Sequence, residues 1–269
     1  MTDPQRIKSY YEGTVEAVYR AIAGAALHLG MFEGDEPRQV ATRRTNAYLA
    51  ARLAVGPDST LCDLGSGYGD AARFLAARFG CRVVALNLVH AQNVEALALN
   101  RQAGLDSRVR LVEADFGRPP LPAASADVVW SQEALLHAPD RGQVLVEAAR
   151  LLRPGGPLIF TDILQTGPME PDEARQIYER VQIDSLESFD SYRAHLQAAG
   201  LVVEEVVDLS QHVAPSYQDH VERLHEQYDS LAAAVGPEYL DYTIRAMERW
   251  VRAAEAGKLG WGMFLARKP

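Results

Sequence analysis

Leu61-Cys62-Asp63-Leu64-Gly65-Ser66-Gly67-Tyr68-Gly69-Asp70 decides how this chain is read. The stretch starts as an apolar strand, passes through three alternating glycines and opens into a helical pattern from Asp70 to Phe79. In an open α/β sheet, the turn from the first strand into the first helix is a place where ligands bind. Glycines there adopt positive φ angles and let the backbone come close to a ligand. Their spacing narrows the ligand. A dinucleotide loop is G-x-G-x-x-G, with the third glycine packing helix against strand; Asp70 occupies that position here. A nucleoside-triphosphate loop needs G-x-x-x-x-G-K-[ST], which the stretch lacks. Asp63, two residues before the first glycine, offers a carboxylate to a cationic group instead.

Outward from this loop the pattern is regular. Residues 1–36 and 38–55 read as helices, the second ended by Gly56-Pro57. Strands are predicted at Thr60–Leu64, Arg82–Leu86, Val109–Glu113, Ala126–Trp130 and Leu158–Asp162, with helices at Asp70–Phe79, His90–Ala103 and Arg141–Leu152. Strands alternating with helices imply right-handed βαβ units and a parallel sheet. Beyond residue 165 the pattern predicts helices near 172–183 and 188–199, a strand at Leu201–Asp208, helical stretches at 212–235 and 237–256, and a last strand at Trp261–Leu265 beside the sixth. The expected fold is α/β: a doubly wound, Rossmann-like, seven-stranded, mostly parallel sheet with its last strand antiparallel. N-terminal helices precede it, and a helical cap is inserted before the last strand. A single domain over 1–269 is expected, with an N-terminal helical segment at 1–56, a cofactor-binding half at 57–165 and a cap at 210–256 over the carboxyl edge of the sheet.

Bulk properties exclude several classes. The chain has 269 residues, 48% of them hydrophobic and 23% charged, enough to bury a core without staples. Apolar runs fall far short of the ~20 residues that span a bilayer, and the amino terminus lacks the apolar core of a signal peptide. A cytoplasmic protein with no membrane partner is expected. The net charge of −9 and the lack of a basic block argue against nucleic acid. Cys62 and Cys81 sit at apolar strand positions and read as buried core. With no CxxC, no HExxH and no clustered ligands, no metal is expected.

The carboxyl ends of the next strands suit a nucleoside. Asn87, with Leu88, closes the second strand where a ribose-binding carboxylate is usual; its amide oxygen can accept from a hydroxyl without the charge-assisted gain. Gln92 adds a second polar group. Ala114-Asp115-Phe116 follows the third strand, where Asp115 could accept from an adenine amino group and Phe116 could cover the ring. Asp63, Gly65, Ser66, Gly67, Asn87, Leu88, Gln92, Ala114, Asp115, Phe116 and Ser131 are the candidate cofactor-binding residues.

The D-x-G-x-G-x-G pattern resembles motif I of class I methyltransferases, where the loop wraps the methionine part of S-adenosylmethionine. Val129-Trp130-Ser131-Gln132-Glu133-Ala134-Leu135-Leu136-His137 with Pro139-Asp140-Arg141 is similar to the segment after the fourth strand in sarcosine/dimethylglycine N-methyltransferases. So are Leu86-Asn87 with Gln92-Asn93, Ile159-Phe160-Thr161-Asp162 with Gln165, Asp184-Ser185-Leu186 with Ser188-Phe189-Asp190 and Tyr192, and Trp250-Val251 leading to Gly260-Trp261-Gly262. The resemblance spans most of residues 10–269. It implies S-adenosylmethionine as cofactor and methylation of sarcosine and dimethylglycine nitrogen toward glycine betaine. It also implies that Tyr11 and His28-Leu29-Gly30 close over the methyl donor. The chain departs from the family at Ala21–Ala26, where small residues stand in place of aromatic and polar ones. A larger alcohol or carbon acceptor, as in natural-product O- or C-methyltransferases, is the alternative. A non-catalytic S-adenosylmethionine binder is the second.

His137, Gln132 and Tyr11 are the candidate catalytic residues. His137 could serve as base for an alcohol acceptor or only orient its loop, and Gln132 could hold the acceptor. Tyr11, Trp130 and Trp261 could cage a quaternary ammonium, although both tryptophans equally suit a core. A substrate carboxylate calls for an arginine; Arg43, Arg44 and Arg180 are candidates. The partner expected is a small-molecule methyl acceptor, for a monomer or homodimer.

Overall fold

Gly24 sets the end of the first described helix. The structure is a computed structural model and describes residues 14–269. Helix α1 (Thr14–Ala23) stops where Gly24 turns to φ +62°. The helix expected to run to residue 36 therefore ends there, and the chain reaches α2 (Arg38–Ala50) without further helix or strand. The predicted alternation follows as β1 (Thr60–Leu64), α3 (Asp70–Phe79), β2 (Arg82–Asn87), α4 (His90–Gln102), β3 (Val109–Glu113), β4 (Val128–Gln132), α5 (Arg141–Leu151) and β5 (Pro157–Gln165). Two strands of this alternation shift by more than a residue. Ala126 makes only an isolated bridge to Leu152, so β4 starts at Val128. β5 runs on to Gln165 because a neighbouring strand pairs along its whole length.

The second part holds α6 (Pro171–Arg180), α7 (Phe189–Ala198), β6 (Val202–Asp208), α8 (Val213–Glu226), α9 (Tyr228–Val235), α10 (Pro237–Glu255) and β7 (Leu259–Arg267). The stretch expected as one helix over 212–235 is broken at Gln227 into α8 and α9. Ser188 starts α7 with a capping box to Ser191, which satisfies amides that a helix end leaves open.

The seven strands form one sheet in the order β3-β2-β1-β4-β5-β7-β6. The first five are parallel, and β7 lies antiparallel between β5 and β6. β7 thus pairs with β6 as expected and with β5 as well. The chain leaves β1 for β2 on one side and returns as β4 on the other, which opens the crevice where such sheets take ligands.

Side chains alternate between the two faces of a strand. Leu61, Val83, Trp130, Ile159 and Trp261 pack on one face with α3 and the inner sides of α8 and α10. Cys62, Val129, Phe160 and Phe264 pack on the other with α5 and α7. Both cysteines are buried and unpaired with each other; burial pushes the Cys62 thiol up to about 12, as suits a core residue. A third cluster joins Val18 and Ile22 of α1 to Leu224, Leu240 and Met247 of the cap. Among the described residues, no helix is long and apolar enough to cross a membrane, and no cluster of three or more His, Cys, Asp or Glu could hold a metal.

Candidate active site

The glycine loop is built by its backbone. Gly65, Gly67 and Gly69 all have positive φ, at +78°, +52° and +74°. At Gly65 a side-chain carbon would lie 2.3 Å from Ala134 Cβ, so only glycine fits between β1 and the turn after β4. The N–H groups of Gly65 and Ser66 both donate to Leu86 O at 2.9 Å, which ties the loop to β2. Asp63 is buried on β1, and its Oδ2 has no hydrogen-bond partner among the described residues. Burial pushes its carboxyl up to about 7, against the pull of His28 and with a further push from Asp70. Ser66 Oγ beside it also lacks a partner among the described residues. Two orphaned polar groups on one cavity wall can receive a cationic, hydrogen-bonding ligand.

That wall belongs to a cavity of about 170 Å³, against the roughly 10–15 Å³ that one water needs. Asn87, Leu88, Gln92, Asp115 and Phe116 line it next to the loop. Asn87 Nδ2 donates to Gln92 Oε1 at 3.0 Å and to Val89 O at 3.3 Å; its amide oxygen is the group left to accept. Asp115 Oδ1 accepts from Gly117 N at 2.7 Å. Two expected cofactor residues do not line the cavity. Ser131 Oγ donates to Leu64 O at 2.7 Å inside the sheet, because strand alternation turns it away from the side that Gln132 serves. The Ala114 N–H pairs with Asn87 O at 3.3 Å, which holds that residue to the ladder.

The far end of the cavity is covered by the cap. Gln132, His137, Arg180, Tyr217, His220 and Trp250 line it, with Tyr19 from α1. Gln132 Oε1 accepts from Trp130 Nε1 at 3.1 Å, while its Nε2 is buried without a partner among the described residues. His137 ends the single turn after β4; desolvation and the charges of Arg141 and Arg180 pull its imidazole down to about 4. Arg180 Nη1 donates to Tyr19 Oη at 2.5 Å and Nη2 to Tyr217 Oη at 3.1 Å. Its guanidinium carbon lies 4.5 Å from the Trp250 ring centroid and 5.0 Å from that of Tyr217. Arg43 is exposed and Arg44 pairs with Glu36, so of the three candidate arginines Arg180 is the one at the cavity. Trp130 and Trp261 do not line it either: both are wholly buried in the sheet core, and Trp250 supplies the aromatic face. Tyr11 lies outside the described residues.

The segment after α1 closes over the loop. His28 Nε2 lies 3.4 Å from Asp70 Oδ2, and Leu29 N donates to Glu133 Oε2 at 2.8 Å. Gly30 N and O both meet Ser216 Oγ of α8, at 3.2 and 2.9 Å. Sequence reading missed Glu133, Tyr19, Tyr217 and His220. For the last two a signal existed: they stand three apart on an amphipathic helix and so share a face.

Comparisons with known proteins identify the family. Residues 62–160 match the family model described as "Methyltransferase domain". The chain is 34% identical to the sarcosine/dimethylglycine N-methyltransferase of Halorhodospira halochloris, over 97% of this chain and 95% of that one. It is also 34% identical to the glycine/sarcosine/dimethylglycine N-methyltransferase of Actinopolyspora halophila, of whose length it spans 46%. The 27-O-demethylrifamycin SV methyltransferase of Amycolatopsis mediterranei is 32% identical, with 91% of each chain covered. Among solved structures, a candidate sarcosine dimethylglycine methyltransferase from Galdieria sulphuraria superposes with a TM-score of 0.88 at 29% identity, over 96% of this chain and 98% of that one. The chain belongs to the class I S-adenosylmethionine-dependent methyltransferases and is an enzyme that methylates small molecules.

Proposed function

We propose that this enzyme N-methylates sarcosine and dimethylglycine toward glycine betaine. One observation carries the reading: the Arg180 guanidinium stands at the cavity, steadied by two tyrosine hydroxyls and two aromatic faces. A guanidinium in that setting suits a carboxylate, and aromatic faces beside it suit a methylated ammonium. The relatives named for sarcosine and dimethylglycine support the same acceptor.

The residues at the other end fit S-adenosylmethionine. Asp63 Oδ2 and Ser66 Oγ, both without a partner among the described residues, would hold the methionine ammonium; Asn87 and Gln92 would take the ribose, and Asp115 with Phe116 the adenine. When bound, the cofactor supplies a sulfonium-activated methyl group, which leaves alignment, dehydration and proton handling to the protein. Alignment alone can contribute roughly 7–11 kcal/mol to lowering the barrier. Gln132 Nε2, buried without a partner among the described residues, would hold the acceptor. His137 meets the Val181 backbone and would set the turn that carries it.

The test is direct. Purified protein is incubated with S-adenosylmethionine and, separately, glycine, sarcosine and dimethylglycine, and products are read by mass spectrometry. Betaine from dimethylglycine, with matching S-adenosylhomocysteine, is the expected result; no methylation of any of the three sinks the proposal. A larger alcohol acceptor is the second reading, favoured by the small side chain of Ala25 at the cavity wall and by the rifamycin-modifying relative. Turnover of a polyketide alcohol but not of the amines would select it.

A further inference from the structure

We infer that His220 is the group that takes the proton from the methyl-accepting nitrogen. The inference rests on the proposal that the Arg180 end of the cavity receives an amino acid. Dimethylglycine and sarcosine exist near neutral pH as ammonium carboxylates, and an ammonium has no electron pair with which to attack. A group at that end must therefore remove a proton.

Three histidines line the cavity, and their surroundings separate them. His28 is engaged by Leu29 O at 3.0 Å and Asp70 Oδ2 at 3.4 Å. His137 meets the Val181 backbone. His220 is 2% exposed, and neither ring nitrogen has a hydrogen-bond partner among the described residues. Its ring stands edge-on to Tyr217, with centroids 5.8 Å apart, and Tyr217 in turn bonds Arg180. A buried imidazole with both nitrogens open is an unfavourable arrangement that native structures retain for a reason. A ligand N–H beside a carboxylate held at Arg180 would complete it.

The charges around the ring supply the timing. Arg38 of α2, beside its partner Asp219, faces the ring together with Arg180 of α6 and Arg223 of α8. Burial and these three cations hold the imidazole neutral, its affinity for protons well below the ordinary histidine range. A carboxylate arriving at Arg180 offsets one of these charges and makes the ring more basic as the ammonium comes beside it. The N–H bond then breaks, its electron pair stays on the acceptor nitrogen, and the proton goes to an imidazole nitrogen of His220. The imidazolium gives that proton to water when the product leaves.

The test joins a binding readout to kinetics. Imidazole C–H resonances of His220 are followed by NMR in the wild-type protein loaded with S-adenosylhomocysteine, with and without dimethylglycine. His220→Gln is compared with wild type in dimethylglycine turnover from pH 6.5 to 9. The resonances are expected to move toward imidazolium positions on addition of dimethylglycine. His220→Gln is expected to lower kcat about 100-fold or more, with KM for dimethylglycine changed less than about threefold. Its kcat/KM should rise about tenfold per pH unit, since only amine already deprotonated in solution then reacts, whereas the wild-type profile stays shallower. Unmoved resonances in a protein that turns dimethylglycine over, or a variant kcat within threefold of wild type, overturns the role of His220 alone. A wild-type protein that neither binds nor methylates dimethylglycine overturns the proposed function and this inference with it. The resonance measurement needs no variant, so a poorly folding substitution leaves the test intact.

Discussion

The indole Nε1 of Trp261 donates to Glu133 Oε1 at 2.7 Å, and the other oxygen of the same carboxylate takes the Leu29 N–H at 2.8 Å. One side chain thus joins the buried strand β7 to the segment that closes over the glycine loop. It does so from a backbone at φ +44°, in the left-handed region that side chains other than glycine rarely adopt. Glu133→Ala strands two donors and keeps the strain, so it should destabilise the protein by about 2–4 kcal/mol. Glu133→Gly strands the same donors but relieves the strain and should be the more stable of the two by roughly 1 kcal/mol. Urea unfolding of both variants checks the order.

Asp63 should trade stability for affinity. Its carboxyl sits at about 7 in the folded, ligand-free protein, against 3.8 when unperturbed. Between those values the folded state holds more protons than the unfolded one, so stability falls as pH rises through this window. Asp63→Asn removes that loss. The ligand-free variant should exceed wild type by roughly a few kcal/mol at pH 8 and by little at pH 3. It should also bind S-adenosylmethionine about 30- to 150-fold more weakly. Denaturation at the two pH values and calorimetric titration measure both effects.

Gly65 and Gly69 share positive φ but not surroundings. A methyl group at Gly65 would meet Ala134 Cβ at 2.3 Å, whereas at Gly69 it would meet the far end of Arg73 at 3.1 Å. Gly65→Ala should cost about 3 kcal/mol or more and abolish cofactor binding. Gly69→Ala should cost roughly 1–2 kcal/mol and leave measurable binding. Equal losses in the two variants would mean that the loop, not the Ala134 contact, sets the limit.

Arg180→Lys keeps the charge but loses the fork that spans Tyr19 and Tyr217. KM for dimethylglycine should rise about 100-fold, as a lysine cannot hold a carboxylate in two-point geometry, while the Kd for S-adenosylmethionine stays within about threefold. Parallel changes in both constants would count against a role in acceptor binding.

The half of the molecule carried by β1 to β5 was readable because its signals are local. Buried parallel strands read as short apolar runs, and Gly65, Gly67, Gly69 and Gly80 punctuate them. The acceptor end was not. Tyr19, Arg180, Tyr217, His220 and Trp250 come from α1, α6, α8 and α10 and meet only when the cap is folded. Nothing local separates Arg180 from Arg43 or Arg44, since burial by distant helices makes the difference. Trp130 and Trp261 invited a cage reading, but central strands turn large aromatics into the sheet core. Ser131 stands off the cavity for a similar reason, one residue of strand alternation away. The breaks at Gly24 and Gln227 lie inside runs whose composition favours helix on both sides.

Asp208, the last residue of β6, stands opposite Gly262 of β7, and Leu259 at the start of β7 stands opposite Gln165. Everything between β6 and β7 therefore leaves and re-enters the sheet at the same end, three residues apart along β7. Such a connection behaves as a cassette. Doubling its length adds only about 0.6 kcal/mol of closure entropy, and exchanging it leaves every strand register untouched. Evolution, or an engineer grafting α8 to α10 from another chain, can thus rewrite the roof over the acceptor while inheriting the donor loop intact.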